Sequence, residues 1–431
     1  MSENRGAAIV SIMAAVFLVL VAVFAGGMAV AHYKLWPYEE LVHGWRLTKS
    51  LVKGELDYRF GRFVSIPEPG RPREMFTVHD REAIAGGYYV MLGFELEEQG
   101  YTARLFDDEG QLINRVPVSP AVLGLADDRG FPDPHGLKML PDGSVLTNFD
   151  KAPTMGRIDR CGERVWMREG AYHHSIELTG RGSFWTWLGD PSAYGMHQFM
   201  VELSWETGET LRTVPIEDVV RAEGEAAAFF NVDAEAAFPQ PPEDAISDGR
   251  GDVFHPNDVE ELRPEMAAAF PMFEAGDLVI SLKSSDMIAV LDPVARRIKW
   301  SQRGPWTKQH DPDFLPDGRI SVFDNNRHMG TSRVVIVDPK DGSIETVLAG
   351  PAAGDGSLSF YTEAQGKHER LPNGNYLIVS TGQGFAAEVD PSGAVVLEFQ
   401  NVMAGHPTRN AHLPNAQWLP EDYFTSSPVC P

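Results

Sequence analysis

Histidine is the residue type whose spacing in this chain suggests chemistry. His310 opens the segment QHDPDFLPDGRISVFDNN, with Gly318 eight residues later in a PDG turn and a short apolar alternation after it. The same interval separates His135 from Gly143, His174 from Gly182 and His79 from Gly87. Only 13 His occur among 431 residues, so four matches in one register point to an internal repeat. Two further segments fit with edits. HPNDVEEL begins at His255, ahead of a delayed strand, DLVISLK. In GKHERLPNGNYLIVS, Gly366 holds the register position and His368 follows two residues later, on the same face of a regular strand.

Imidazoles converging from separate repeats suit three chemistries. They take zinc or iron when neutral, with Asp258 and Asp311 at hand to complete a site. They serve as general acids and bases. One of them can also act as a nucleophile while its neighbours donate hydrogen bonds to an anion. The plain alternative is that each His only bonds to the next repeat. Their differing company argues for specialised roles: PNDVE follows His255, DPDF follows His310, and His173 precedes His174. Trp306, four residues before His310, is placed to stack on an aromatic substrate, or else packs in the core. The chain has no G-x-S-x-G elbow, no P-loop and no G-x-G-x-x-G after a strand, which argues against serine-hydrolase chemistry and nucleotide binding.

Strands must position these residues. A second hairpin follows each His segment, with turns FDDEGQL, DRCGERV, WETGETL, LDPVARRI, DPKDGSI and DPSGAVV between alternating runs. Each unit therefore reads as four antiparallel strands. Steps of 56, 39, 81 and 55 residues between successive His, then 56 to Gly366, match one four-stranded blade each. The expected fold is all-β: a six-bladed β-propeller of four-stranded antiparallel blades, preceded by one N-terminal hydrophobic helix. Residues 409–424 or part of 54–75 would supply a closing strand. The innermost strands would then carry up to five imidazoles to one mouth of the central channel.

The long step covers residues 217–252, an acidic inter-blade insertion containing PQPPED. It reads as partly helical at DVVRAEGEAAAFF, either a lid or a solvated loop. Residues 1–33 form the hydrophobic segment, 34–75 a linker leading into the propeller, 76–424 the propeller itself and 425–431 a tail.

The formal net charge is −24, which argues against nucleic-acid binding because phosphate needs a basic face. Cys161 and Cys430 are the only cysteines, so there is no disulfide framework and no zinc motif. They are either one disulfide formed in an oxidising compartment or two unrelated thiols. No charged side chain occurs from Gly6 to Ala31, a run long enough for a membrane anchor; AVA at 29–31 alternatively suits a cleaved signal peptide. Arg5 before the run, against Lys34, Arg46 and Lys49 after it, would by the positive-inside rule leave the body in the cytoplasm.

HPNDVEEL, DLVISLK, QHDPDFLPDGRISVFDNN and GKHERLPNGNYLIVSTG, in this order behind a hydrophobic segment, resemble the bacterial arylsulfotransferase family over about residues 75 to 420. The resemblance implies a periplasmic enzyme held at the inner membrane by its N-terminal segment. It would move a sulfuryl group from a small phenolic sulfate donor to a phenolic acceptor, with no cofactor and no metal. It implies His310, followed by Phe323-Asp324-Asn325, as the transiently sulfated nucleophile. His255 with Asn257, and His174 of the His173–His174 pair, would support it. The family places an Arg on the next strand, where this sequence has Lys283; a Lys keeps the charge and lacks the planar fork. His135, Asn257, His368 and Trp306 complete the expected substrate-binding set. Two other readings stay open: a metal-dependent propeller lyase or hydrolase using His79, His135, His174 and His255, and a non-catalytic membrane-anchored scaffold. The oligomeric state is not encoded in these motifs.

Overall fold

The computed structural model describes residues 3–33, 64–65, 67, 71–125, 132–149, 152–189, 197–223, 254–327, 329–349 and 358–431. Two compact units are present, Met1–Val64 and Ser65–Pro431.

In the first unit the apolar run folds as a helix, Glu3–Tyr33, as the hydrophobic pattern predicts. Its described side chains from Met13 to Met28 are exposed. Among the described residues no helix is long and apolar enough to cross a membrane, so the expected anchor is not borne out there.

The second unit is all-β and antiparallel. Six sheets have four or five strands each. From the inside outward, the second comprises Pro134–Met139, Val145–Phe149, Thr154–Ile158 and Arg164–Glu169. The third comprises Tyr172–Leu178, Ser183–Leu188, Phe199–Ser204 and Thr210–Pro215. The fourth comprises Pro256–Glu261, Leu278–Leu282, Met287–Asp292 and Arg297–Arg303, and the fifth His310–Phe314, Ile320–Asp324, Arg333–Val337 and Ile344–Ala349. Burial falls from inside out because middle strands are covered on both faces. LVISL of 278–282 is wholly buried, whereas RIKWSQR of 297–303 is half-exposed with exposed ends. Every expected second turn joins the third and fourth strands of its sheet.

The first and sixth sheets close the ring. Asn415–Leu419 becomes the innermost strand beside Tyr88–Glu95, Gly100–Asp107 and Leu112–Val118. Phe76–Val78 becomes a fifth, outermost strand behind Lys367–Arg370, Tyr376–Ser380, Phe385–Val389 and Val395–Gln400. The closing strand thus lies inside the expected 409–424 range. The six innermost strands neighbour one another in a closed cycle. Apolar clusters fill the gaps between successive sheets, as where Trp187 and Met200 of the third pack with Ile280 and Met287 of the fourth.

Three expectations change. Among the described residues there are seven sheets, the seventh being small and three-stranded and including Val402–Met403 and His406–Ala411. His79 does not begin an inner strand: it follows the outermost strand Phe76–Val78, with Nε2 3.5 Å from Glu398, so its match to the repeat interval is fortuitous. Trp306 is buried in the apolar cluster between the fourth and fifth sheets and donates through Nε1 to Asp286 O at 2.9 Å, so it packs the core. A helix, Ile216–Ala222, overlaps the start of the stretch expected to be helical, DVVRAEGEAAAFF; residues 224–253 lie outside the described residues.

The two cysteines pair: Cys161 and Cys430 form a disulfide across a sequence separation of 269 residues. It fastens the tail to the second sheet, in the turn between Thr154–Ile158 and Arg164–Glu169. Tyr423 Oη donates to Met139 O at 2.6 Å, and Asn114 Nδ2 donates to Pro428 O at 2.8 Å.

Candidate active site

Four inner strands break register at their first residues. The shifts fall between Pro134 and Leu137, His173 and Ile176, Pro256 and Asp258, and His310 and Asp313. His174, His255 and Asp311 there adopt φ of 60°, 46° and 54°, the left-handed region that L-residues avoid at a cost of about 1–2 kcal/mol. Such bulges re-aim a side chain at the rim of a sheet.

The result is one cluster. The rings of His135 and His174 lie 4.3 Å apart between centroids, those of His173 and His174 4.8 Å, and those of His174 and His255 5.2 Å. Gly136 permits the first approach, since a Cβ there would stand 2.5 Å from His174 O. A cleft of about 290 Å³, including solvent at its mouth, is lined by His135, His174, Asn257, His310, Gln365 and Lys367 among others. Lys283 occupies a short 3-10 turn, Lys283–Ser285, at the end of the strand Leu278–Leu282. Its Nζ donates to His255 Nε2 at 3.2 Å.

His310 is held in one tautomer. Its Nδ1 faces two acceptors, Asn325 Oδ1 at 2.6 Å and Lys308 O at 3.1 Å. Asn325 cannot reverse, because its Nδ2 donates to Thr362 O at 2.9 Å and Gln365 O at 2.7 Å. Nδ1 therefore carries the proton and Nε2 the lone pair. Burial, then the Lys283 charge, pushes the His310 pKa well below the usual imidazole value, so the ring is neutral. Burial followed by the neighbouring imidazoles does the same to His174, and burial brings His135 down to about 3.

The structure thus brings His135, His174, His255, His310, Asn257 and Lys283 to one end of the ring. His368 is on its expected strand but lies deeper, its side chain enclosed beside Asp311 and Asp313. His79 and Trp306 are elsewhere. Reading the motifs singly missed Asn325 as the partner of His310, and Gln365 and Lys367 as residues lining the cleft. The signal for Asn325 lay in FDNN, whose first Asn sits two residues beyond Phe323, the residue paired with His310.

The fold is thus a ring of antiparallel sheets of the β-propeller kind, with an imidazole cluster at one end. Residues 136–402 match the arylsulfotransferase (ASST) family, and the chain belongs to that family. No curated protein matches. Solved structures similar to it include a protein of unknown function from Bacteroides caccae, at 13% identity and TM-score 0.48, covering 77% of this chain and 98% of that one. TolB from Acinetobacter baumannii gives 11% and 0.42, covering 78% and 67%. Virginiamycin B lyase from Staphylococcus aureus gives 13% and 0.35, covering 62% and 69%. At these scores no functional argument rests on the likeness.

Proposed function

We propose that this chain transfers a sulfuryl group from a phenolic sulfate ester to a phenolic acceptor through a sulfohistidine on His310. The observation that carries the reading is the His310 tautomer: a neutral ring with Nδ1–H tied to two acceptors and the Nε2 lone pair left to react. Family membership supports the reaction class.

In this reading the six larger sheets are six blades, and the cleft sits at the end of their shared axis. The Nε2 lone pair of His310 forms the N–S bond while the S–O(aryl) bond breaks, its electron pair leaving on the phenolate. Sulfation at Nε2 with Nδ1 still protonated makes the ring cationic. Asn325 Oδ1 and Lys308 O then stabilise that charge through the Nδ1–H. Lys283, with His255 and His174, holds the oxygens on which negative charge accumulates. The phenolate product departs, and an acceptor phenolate attacks sulfur as the N–S bond breaks and its electron pair returns to Nε2, giving ping-pong kinetics. The Cys161–Cys430 disulfide supports an extracytoplasmic, oxidising location.

Intact-mass and peptide mass spectrometry after mixing with aryl sulfates tests the reading. Wild type should gain one SO3 on the peptide containing His310, and His310→Ala should gain none and lose turnover. A wild-type protein that gains no SO3 across a broad donor panel would overturn it.

A further inference from the structure

Beneath the cleft the inner strands line the channel with ionisable side chains at alternate positions. Glu177, Asp258, Glu260, Asp311, Asp313 and Glu369 share this space with two lysines, Lys138 and Lys367. Both lysines serve one side of it. Lys367 Nζ lies 2.6 Å from Asp311 Oδ1 and 3.9 Å from Glu177, and Lys138 Nζ lies 2.7 Å from Glu177. On the other side, the ion pairs of the described residues give Asp313 only His368.

His368 is the unexplained group. Its side chain is fully enclosed, and neither ring nitrogen makes a hydrogen bond. Nδ1 is 3.3 Å from Asp311 Oδ2 and Nε2 is 3.6 Å from Asp313 Oδ2. Charge-assisted hydrogen bonds would be about 2.7–2.9 Å. A buried polar atom left without a partner is destabilising, which favours a ligand for it. One ligand atom from each of Asp311, Asp313 and His368 lies within 4.8 Å of the others. Donors on a shared tetrahedral ion, each about 2.1 Å from it, stand about 3.4 Å apart.

We propose that Asp311, Asp313 and His368 bind a divalent metal ion of the zinc class between the fifth and sixth sheets, beside the channel, where the His368 ring also meets Phe323 and Tyr376. One imidazole with two carboxylates is a borderline ligand set, unlike the all-oxygen cages of calcium. Glu177, Asp258 and Asp311 also converge, but Lys367 lies against both Glu177 and Asp311 there; in the proposed site Lys367 keeps Asp311 Oδ1, and Oδ2, which accepts from His368 N–H at 2.6 Å, is the oxygen that faces the ring. The ion would clamp the strands His310–Phe314 and Lys367–Arg370 together one residue beyond His310. This binding does not depend on the sulfuryl-transfer reading.

The test uses the full purified chain, stripped with a chelator and titrated with zinc chloride and with cobalt chloride. Stoichiometry is read by calorimetry and elemental analysis, and the cobalt form by its visible absorption. We expect a single equivalent per chain and a rise in the wild-type melting temperature with zinc. Asp313→Asn and His368→Gln should each weaken uptake by at least about 10-fold. Absence of stoichiometric uptake by wild type overturns the proposal whatever the variants do. So does uptake unchanged in both variants, or uptake lost only in His174→Ala, which would move the ion to the imidazole cluster.

Discussion

Nδ1 of His310 lies 2.6 Å from Oδ1 of Asn325, on the strand Ile320–Asp324's outgoing turn, and the Asn325 amide is oriented by two backbone carbonyls. This shorter contact, together with Lys308 O at 3.1 Å, holds the proton on Nδ1 and leaves the lone pair on Nε2. Asn325→Ala should leave the fold intact and lower kcat by roughly 10- to 100-fold, the usual cost of losing an orienting partner. Steady-state kinetics on wild type and variant check this; an unchanged kcat would detach the tautomer from turnover.

Lys283 stands 3.2 Å from His255 and is the charge that most depresses His310 after burial. Lys283→Ala should cost about 10²–10³ in kcat, as expected for a lost oxyanion donor. Lys283→Arg should recover part of it. A variant pair with equal rates would assign the residue to folding instead.

The His135 pKa is depressed to about 3 by burial, against about 6.5 in the unfolded chain. Below pH 6.5 the unfolded state takes up a proton that the folded state refuses. The stability contributed above pH 6.5 is therefore lost as the pH falls from 6.5 toward 3. Urea midpoints of wild type and His135→Gln should converge or cross over that range, by at most about 1.4 kcal/mol per pH unit. A difference independent of pH would show that the ring is solvated.

The disulfide joins residues 269 apart in sequence, tying the tail to the second sheet. Cys161→Ser with Cys430→Ser should lower unfolding free energy by about 2–4 kcal/mol. The loss should match that of wild type measured in reductant. If reductant changes nothing, the thiols are not paired.

Much of the plan can be read from the chain. The eight-residue interval from His to the turn Gly located the inner strands Pro134–Met139, Tyr172–Leu178 and His310–Phe314, because a strand and a tight turn obey local rules that neighbouring residues carry. The six second turns, from FDDEGQL to DPSGAVV, were legible for the same reason. Interval alone misled at His79, where an outer strand happens to precede a glycine at the same spacing. The bulges that turn His174, His255 and Asp311 inward leave no local signature, since their φ values are imposed by the strands on either side.

Local sequence therefore determined the strands, their turns and the histidines that open them. Tertiary structure alone decided which of these meet. Closure brought residues 135 to 310 to one mouth, sent His368 down among the channel carboxylates, and set Asn325 against His310. It also put Trp306 in the core. The physical reason is that convergence depends on summed burial across all six larger sheets, a quantity no short stretch of chain contains.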